Sequence, residues 1–359
     1  GTWELLLRLQ TELTVESPDR SLTFRFTRST DKPQRAGAAR NAAVEASSAP
    51  WLALLDADDT MAPERLQLQL AAAEKLPELC LVGSGIARDP PDATHRYTAW
   101  ANSLSDEDLQ HQRYRECTLL APTWFMPRAL FTAVGGMPSS AEDVLQCLTL
   151  LGKGDPPFPF LGPPPESQPK RRKVEPADTR LAWHFTAQQV AGPTGVVPED
   201  LLFFLKAVAL GATLHRVPHP LVTYTHRAGS SSEGTPRRVL QRVRAAAFEQ
   251  QVLSTAAWQG GFYIWGVGRD GRFLYGSLSA AARAKVLGFV DANPAWTGKT
   301  YHHAALRESV PVLHMDDLQS GPIVTAVALH RTEGAFSANL AATAQRLGLQ
   351  HGKDVWYFI

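Results

Sequence analysis

The chain has 359 residues, of which 44% are hydrophobic and 20% are charged, and its formal net charge is +1. These values are typical of a globular protein with a buried core, and the length suits two domains of roughly 100–200 residues each. The near-neutral charge excludes a globally basic nucleic-acid-binding protein, so any contact with nucleic acid must depend on a local patch. No apolar run reaches the roughly 18 residues of a membrane span. Three widely spaced cysteines indicate a reducing, cytoplasmic compartment: Cys80, Cys117 and Cys147.

The first part of the chain alternates between helical and extended patterns. The chain begins at Gly1 without a methionine, inside a predicted helix ("WELLLRLQTEL"), so we expect a preceding segment to be missing. "SLTFRFTRS" alternates like a strand, whereas "GAARNAAVEASSAP" has helical spacing. "WLALLDADD" contains an apolar run of the kind that is buried on both faces of an α/β sheet. A helix and a strand are then predicted at "PERLQLQLAAAEKL" and "CLVGSGI". This order predicts an α/β fold with a largely parallel sheet.

Residues 138–195 differ from their surroundings in composition. The segment is dense in proline and charge and cannot build a packed core, so we expect a disordered insert. Within it, "PKRRKV", whose basic run is Lys170 to Lys173, has the pattern of a nuclear import signal, although short basic runs are frequent by chance and a solvated loop is the favoured interpretation.

Order is predicted to resume with the helix "VPEDLLFFLKAVALGA", the extended segment "LHRVPHPLVTYTH" and the basic amphipathic helix "TPRRVLQRVRAAAFEQQVL". A second α/β unit begins near Gly260. The predicted organisation is a first domain in two parts, an insert between them, and a Rossmann-like carboxy-terminal domain: residues 1–137, 138–195, 196–258 and 259–359.

Three carboxylates, Asp56, Asp58 and Asp59, follow the apolar run of the predicted strand. An Asp-x-Asp at the carboxyl end of a buried strand lies where open α/β sheets bind ligands. Asp56 and Asp58 are close enough to share one hard cation such as Mg²⁺ or Mn²⁺, which would hold the phosphates of a nucleotide. The alternative is that Asp58, Asp59 and Thr60 only end the strand and cap the helix after Pro63.

The surrounding residues resemble the core of family 2 GT-A glycosyltransferases, in which a helix with a Gly-x-x-Arg-Asn pattern precedes a strand ending in Asp-x-Asp. The matching residues are Gly37, Arg40, Asn41, Asp56, Asp58 and Asp59. The resemblance implies a GT-A-like mixed sheet whose first strand lies upstream of this chain. It also implies that Arg40, Asn41 and the two acids bind a nucleotide sugar, with Mn²⁺ or Mg²⁺ at the diphosphate.

A second acidic pair, Glu199 and Asp200, opens the predicted helix "VPEDLLFF". The resemblance implies an inverting transfer in which Asp200 takes the proton from the acceptor hydroxyl and Glu199 positions acceptor or sugar. The alternative is that both acids only complement the helix dipole, which would lower their pKa unless burial opposes it. The resemblance also places His226 and Arg227 over the diphosphate, with Asp58, Asp56 and His226 as metal ligands.

Further segments resemble a family of tRNA-modifying galactosyltransferases: "RDPPDATHRYTAW", "PTWFMPRALFTAVGG", "VPEDLLFF" and "IWGVGRDGRFLYGSL". This resemblance implies UDP-galactose as donor and queuosine in the tRNA-Tyr anticodon as acceptor. For such an acceptor, Arg237, Arg238 and Arg242 are candidate phosphate contacts, and Trp124 is a candidate for stacking on the extruded base. The alternatives are a solvated helix face for the arginines and a core position for Trp124.

"WGVGRDG" contains the pattern Gly266-x-Gly268-x-x-Gly271 between a predicted strand and helix, and Asp291 ends the next strand. This spacing fits a dinucleotide-binding turn, although the same glycines also serve close strand–helix packing. Three functions therefore remain open at this stage. They are a nucleotide-sugar transferase using UDP-galactose, UDP-GlcNAc or another hexose donor, a catalytically impaired paralogue that binds tRNA or a protein, and a dinucleotide-dependent enzyme acting through the last domain.

Overall fold

The computed structural model describes residues 2–16, 23, 25–28, 36–139, 198–227, 236–328 and 334–359. Cys147, the basic run "PKRRKV" and all but the first two residues of the expected insert lie outside these residues. No helix in the described part of the chain has the length and apolar character needed to cross a bilayer.

Helices and strands alternate through the described residues. The helices are α1 Thr2–Glu16, α2 Ala36–Glu45, α3 Arg65–Ala73, α4 His95–Ser103, α5 Asp106–His111, α6 Arg128–Val134, α7 Glu199–Ala209, α8 Arg237–Phe248, α9 Arg269–Ser277, α10 Ala280–Arg283 and α11 Ala335–Leu347. The strands are β1 Trp51–Ala53, β2 Thr60–Met61, β3 Cys80–Asp89, β4 Phe125–Pro127, β5 Thr213–Thr225, β6 Phe262–Trp265, β7 Val286–Asp291, β8 Thr300–His303, β9 Glu308–His314, β10 Ile323–Thr325 and β11 Val355–Tyr357.

The first sheet is mixed and has five strands in the order β1-β4-β3-β5-β2. Only β3 and β5 pair in parallel, while the other neighbours are antiparallel. The GT-A-like mixed sheet is therefore confirmed, and the expectation of a largely parallel sheet is wrong for this half of the chain. The reason is β4, which enters between β1 and β3 and runs against both.

Strand β1 is shorter than its apolar run and lies at the edge of the described sheet. Leu52 and Leu54 are buried, whereas Ala53 and Leu55 are exposed. The expectation of burial on both faces is therefore wrong, because alternate residues of this run face out of the core.

The segment predicted as a strand at "SLTFRFTRS" is not one in its described residues, 23 and 25–28. Phe26 packs edge-on against Trp3 of α1, with ring centroids 6.3 Å apart, and Arg28 lies over the same ring. Alternation alone misled the prediction, because the described apolar side chain, Phe26, meets a helix rather than a neighbouring strand.

The second sheet has six strands in the order β11-β10-β6-β7-β9-β8, and every neighbouring pair except β8 with β9 is parallel. The chain passes from β6 outward to β7 and β9, then returns to the other side of β6 for β10 and β11. This arrangement confirms the predicted Rossmann-like unit and gives it a topological switch point between β6 and β10.

The two sheets share one hydrophobic core. An aromatic series runs through it, from Tyr114 beside the first sheet, through Phe248 and Trp258, to Phe262 of β6. Trp356 of β11 packs against Tyr114 with ring centroids 5.4 Å apart. The Rossmann-like unit is therefore packed firmly against the mixed-sheet unit.

Candidate functional site

A tight turn carries the acidic residues beyond β1. The Asp59 N–H donates to the carbonyl of Asp56 at 3.1 Å and closes the turn. Buried Arg65 donates to the carbonyl of Leu54 at 2.8 Å and so fixes the strand just before the turn. Burial lowers the pKa of Arg65 to about 10. The acids are thus held on a fixed backbone rather than on a free loop.

These acids do not cap the following helix. Strand β2 separates them from α3, which begins at Arg65 after Glu64 and has no side-chain cap. The alternative explanation for the three carboxylates is therefore wrong, and a different source of positive charge must offset their repulsion.

Arg40 is the first such source. Its guanidinium donates to Asp56 at 2.6 Å and to Glu199 at 3.3 Å. Burial disfavours the charged form, but the carboxylates of Asp56 and Glu199 outweigh it, so the pKa of Arg40 is raised. One side chain with a forked set of donors therefore joins the Asp-x-Asp turn to the Glu-Asp helix start, and the two acidic motifs form a single site.

Helix α2 can deliver Arg40 because Gly37 lets it approach closely. A Cβ at Gly37 would lie 2.4 Å from the carbonyl oxygen of Pro138 and 3.4 Å from the Cβ of Glu199. Asn41 holds the same junction: its amide accepts from the Met137 N–H at 2.8 Å and donates to the Met137 carbonyl at 2.9 Å. The Gly-x-x-Arg-Asn pattern thus packs α2 against α7 and the end of the α6 loop.

The Glu-Asp pair is tuned by burial. Burial and the neighbouring Asp200 raise the pKa of Glu199 from its ordinary value of 4.5 to about 7, against the opposing charge of Arg40. Burial also raises the pKa of Asp200, whose carboxylate accepts the Leu201 N–H at 2.7 Å. Burial thus opposes the helix dipole at both carboxyls, and it brings the pKa of Glu199 close to neutral pH.

The end of β5 closes the other side of the acidic turn. The Thr225 N–H donates to Asp59 at 2.9 Å, and the second oxygen of Asp59 is buried with no hydrogen-bond partner. Burial raises the pKa of Asp59, and the nearby charges of Asp56 and Asp58 add to the shift. Arg227 reaches Asp58 at 3.6 Å and is the second positive partner of the acids.

His226 precedes Arg227 in the chain, and the backbone N–H of His226 donates to the carbonyl of Asp89 at 2.7 Å. The structure therefore brings the residues predicted for the nucleotide sugar to one place, except that the side chain of Asn41 is committed to the backbone of Met137.

A metal site made by protein ligands alone is not present in the described residues, since no three His, Cys, Asp or Glu side chains are placed so that they could hold one ion. The predicted set of Asp58, Asp56 and His226 is thus not assembled as a three-ligand centre. Mg²⁺ at nucleotide sites, however, is commonly held by one or two carboxylates, with substrate phosphates and water completing the shell. The carboxylate of Asp58 is 41% exposed and fits this role, while Asp56 is already neutralised by Arg40.

Trp124 is not available for stacking on a base. It is fully buried, donates its indole N–H to the carbonyl of Leu119 at 3.0 Å, and packs against Phe203. The acceptor role predicted for Trp124 is wrong, and its core alternative is correct.

The basic residues of α8 do not form one exposed stripe. Arg237 and Arg238 are exposed, Arg242 is half-buried over the ring of Phe273, and Arg244 is buried. Arg237 also lies 3.7 Å from Asp270 of the second unit. Only the first turn of this helix can therefore offer free positive charge to a partner.

The sequence analysis missed the buried residues that support the backbone of the site. Arg65 and Gln69 share the buried face of α3 with Ala73, and Gln69 donates to the carbonyls of Thr123 and Val82. The signal was present as polar residues at i and i+4 on an apolar helix face. Arg88, which lies over Tyr224 and close to Asp59, had no such signal.

Residues 12–134 match the protein family described as Glycosyl transferase family 2. A crystal structure of TarS residues 1–349 from S. aureus, in complex with UDP-GlcNAc, is similar to the chain with 14% identity and a TM-score of 0.36. The similarity covers 67% of this chain and 54% of that structure, so the chain spans about half of its length.

The mixed sheet and the joined acidic motifs agree with this family match. Residues 12–134 therefore form a domain that is similar to the family 2 glycosyltransferases.

Proposed function

We propose that the chain is an inverting, metal-dependent glycosyltransferase that moves galactose from UDP-galactose to queuosine in the tRNA-Tyr anticodon. The observation that carries the proposal is the bridge made by Arg40, which binds Asp56 and Glu199 together. Donor-binding and proton-accepting groups thereby stand in one site, as a displacement at the anomeric carbon requires. The queuosine acceptor rests on the sequence resemblance.

In the proposed reaction, the acceptor hydroxyl oxygen attacks the anomeric carbon from the face opposite the diphosphate. The new carbon–oxygen bond forms while the bond to the diphosphate oxygen breaks with its electron pair. Asp200 takes the hydroxyl proton, for which its raised pKa is suited. Glu199 positions the acceptor or the sugar while held by Arg40.

Two arginines lie close to where the negative charge of the departing diphosphate would develop. Arg227 is exposed beside Asp58 and is able to turn toward a bound diphosphate, and Arg40 fixes Asp56. Asp58 and Asp56 are the residues that would hold Mn²⁺ or Mg²⁺, which when bound would neutralise the diphosphate. His226 lies next to these groups and completes the proposed donor site.

The proposed acceptor contacts are the exposed arginines at the start of α8. Arg237 and Arg238 are exposed and would meet phosphate oxygens of an anticodon arm, Arg237 in exchange for its contact with Asp270, whereas Arg242 is half-buried over Phe273. Phosphate contacts of this kind position an RNA without reading its sequence.

The test offers several UDP-sugars to the chain together with queuosine-containing tRNA and follows the mass of the tRNA. The expected result is a gain of one hexose with UDP-galactose, abolished in Asp200→Asn and in Asp58→Ala. An exchange at an exposed acid far from the site, Asp317→Asn, serves as the matched control and should keep full activity. Transfer only from UDP-GlcNAc would correct the donor, and no transfer from any donor would refute the proposal.

A further inference from the structure

The second unit contains a cavity of about 560 Å³ that the glycosyl transfer does not use. It lies at the carboxyl ends of three neighbouring parallel strands. Trp265 and Gly266 line it from β6, Asp291 from β7 and Ala326 from β10. Its size falls within the range of small-molecule sites, and it sits at the topological switch point of the sheet, where open α/β sheets bind ligands.

Two helices begin at this cavity. Arg269 starts α9 and Ala335 starts α11, and both residues line the cavity. Neither helix has a side-chain cap, because each is preceded by a glycine, Gly268 or Gly334. The positive ends of two helix dipoles therefore meet on one partly open space. Asp270 also lines it, but its carboxylate is paired with Arg237 and Arg269, so the helix ends still favour an anionic group there.

The three glycines of the turn differ in backbone conformation and in the space available for a side chain. Gly266 has φ +111°, which other residues rarely adopt. At Gly271 a Cβ would overlap the carbonyl oxygen of Gly266, so close packing excludes a side chain. Gly268 has φ −66°, and a Cβ there would meet no atom within 4 Å. Neither backbone conformation nor packing requires the middle glycine, which leaves the cavity in front of it as the reason for its missing side chain.

Asp291 supplies a carboxylate to the wall of the cavity, beside the glycine turn. Its carboxylate accepts the N–H groups of Val267 and Asn293, at 3.2 and 2.9 Å, and so is fixed to the glycine turn itself. An ionised carboxylate has about four acceptor positions, and two of them remain for a ligand. Hydroxyl groups are the natural donors for them. The remaining walls are mainly apolar, with Val327 and Phe336 among them.

We propose that this cavity binds a ribonucleoside diphosphate, free or as part of a dinucleotide. The diphosphate lies over Gly268 at the starts of α9 and α11, the ribose hydroxyls bind Asp291, and the base packs against the apolar wall. This site is separate from the acidic site of the glycosyl transfer and does not depend on the function proposed for that site.

The experiment measures the binding of NADH, ADP-ribose and UDP to the full chain by titration calorimetry without divalent metal. We expect at least one probe to bind, with affinity weakened moderately in Gly268→Ala and at least about tenfold in Gly268→Val, since a side chain there fills the space of the phosphates. Gly260→Val is the matched control, because a Cβ at Gly260 also meets no atom within 4 Å and Gly260 does not line the cavity.

A second comparison tests the role of Asp291. If the carboxylate binds the ribose diol, NADPH should bind at least about tenfold more weakly than NADH, because its 2′-phosphate would face a negative charge. The proposal is overturned if none of the probes binds, or if Gly268→Val and Gly260→Val bind them equally well.

Discussion

Two arginines and backbone N–H groups explain how five carboxyl groups can gather in this site. Arg40 pairs with Asp56 and Glu199, Arg227 pairs with Asp58, and a backbone N–H satisfies one oxygen of Asp59. Burial and the neighbouring Asp200 still leave the pKa of Glu199 raised. The charge state of that residue should therefore affect folding as well as catalysis.

The first prediction concerns the pH dependence of stability. A carboxyl whose pKa rises from 4.5 to about 7 on folding makes its full contribution to stability below pH 4.5, and loses it as pH rises through about 7. The wild type should therefore lose about 2 kcal/mol of its free energy of unfolding between pH 5 and pH 8 through Glu199. Glu199→Gln should remove this part of the loss, as urea unfolding at the two pH values would reveal. An identical pH dependence in both proteins would contradict the assignment.

A second prediction separates two roles for Asn41, a structural contact with Met137 and a contact with the nucleotide sugar. Its amide makes two hydrogen bonds with Met137, so Asn41→Ala should cost about 1–3 kcal/mol of stability. The KM for the donor should stay near the wild-type value, since the side chain is already occupied. A raised donor KM with unchanged stability would instead favour the nucleotide-binding role predicted from sequence.

At the level of single residues, the sequence identified the acids but not their partners. Asp56, Asp58, Glu199 and Asp200 could be found from their places at a strand end and a helix start. The bridge from Arg40 could not, because it joins positions 159 residues apart. The burial of Trp124 could not be decided from the sequence either, because an aromatic residue carries no local sign of whether it is exposed.

Among the elements, helix α2 depends most directly on one position. Gly37→Ala should push α2 away from Pro138, at a cost of about 1–3 kcal/mol, and should lower transferase activity by displacing Arg40. Gly260→Ala, where a Cβ meets nothing, should change neither. Thermal unfolding and the transfer assay test both variants, and equal stability of the two would show that the close approach is not required.

The elements themselves were predicted well where their pattern was long. Helices α2, α7 and α8 and strands β3 and β5 lie where periodicity placed them. The errors fall on short or solitary segments, such as β1 and the described residues 23 and 25–28. Their conformation depends on neighbours supplied by distant parts of the chain, and no local pattern carries that information.

The whole molecule should unfold as one unit, because a single core joins its two sheets. Trp356 packs against Tyr114, and Arg113 lies over its ring at 4.4 Å. Trp356→Ala should therefore cost about 3–5 kcal/mol and still give one cooperative transition in calorimetry. Two separate transitions in the wild type would contradict a shared core.

The central claim is that the Asp-x-Asp turn and the Glu-Asp helix start form one site for a UDP-sugar. Its most direct test is the affinity for UDP with and without Mn²⁺, measured by titration calorimetry. The wild type and the exposed-acid control Asp317→Asn should bind UDP more tightly with Mn²⁺, whereas Asp58→Asn should lose at least about tenfold of that affinity. An equal Mn²⁺-dependent gain in Asp58→Asn would contradict the account.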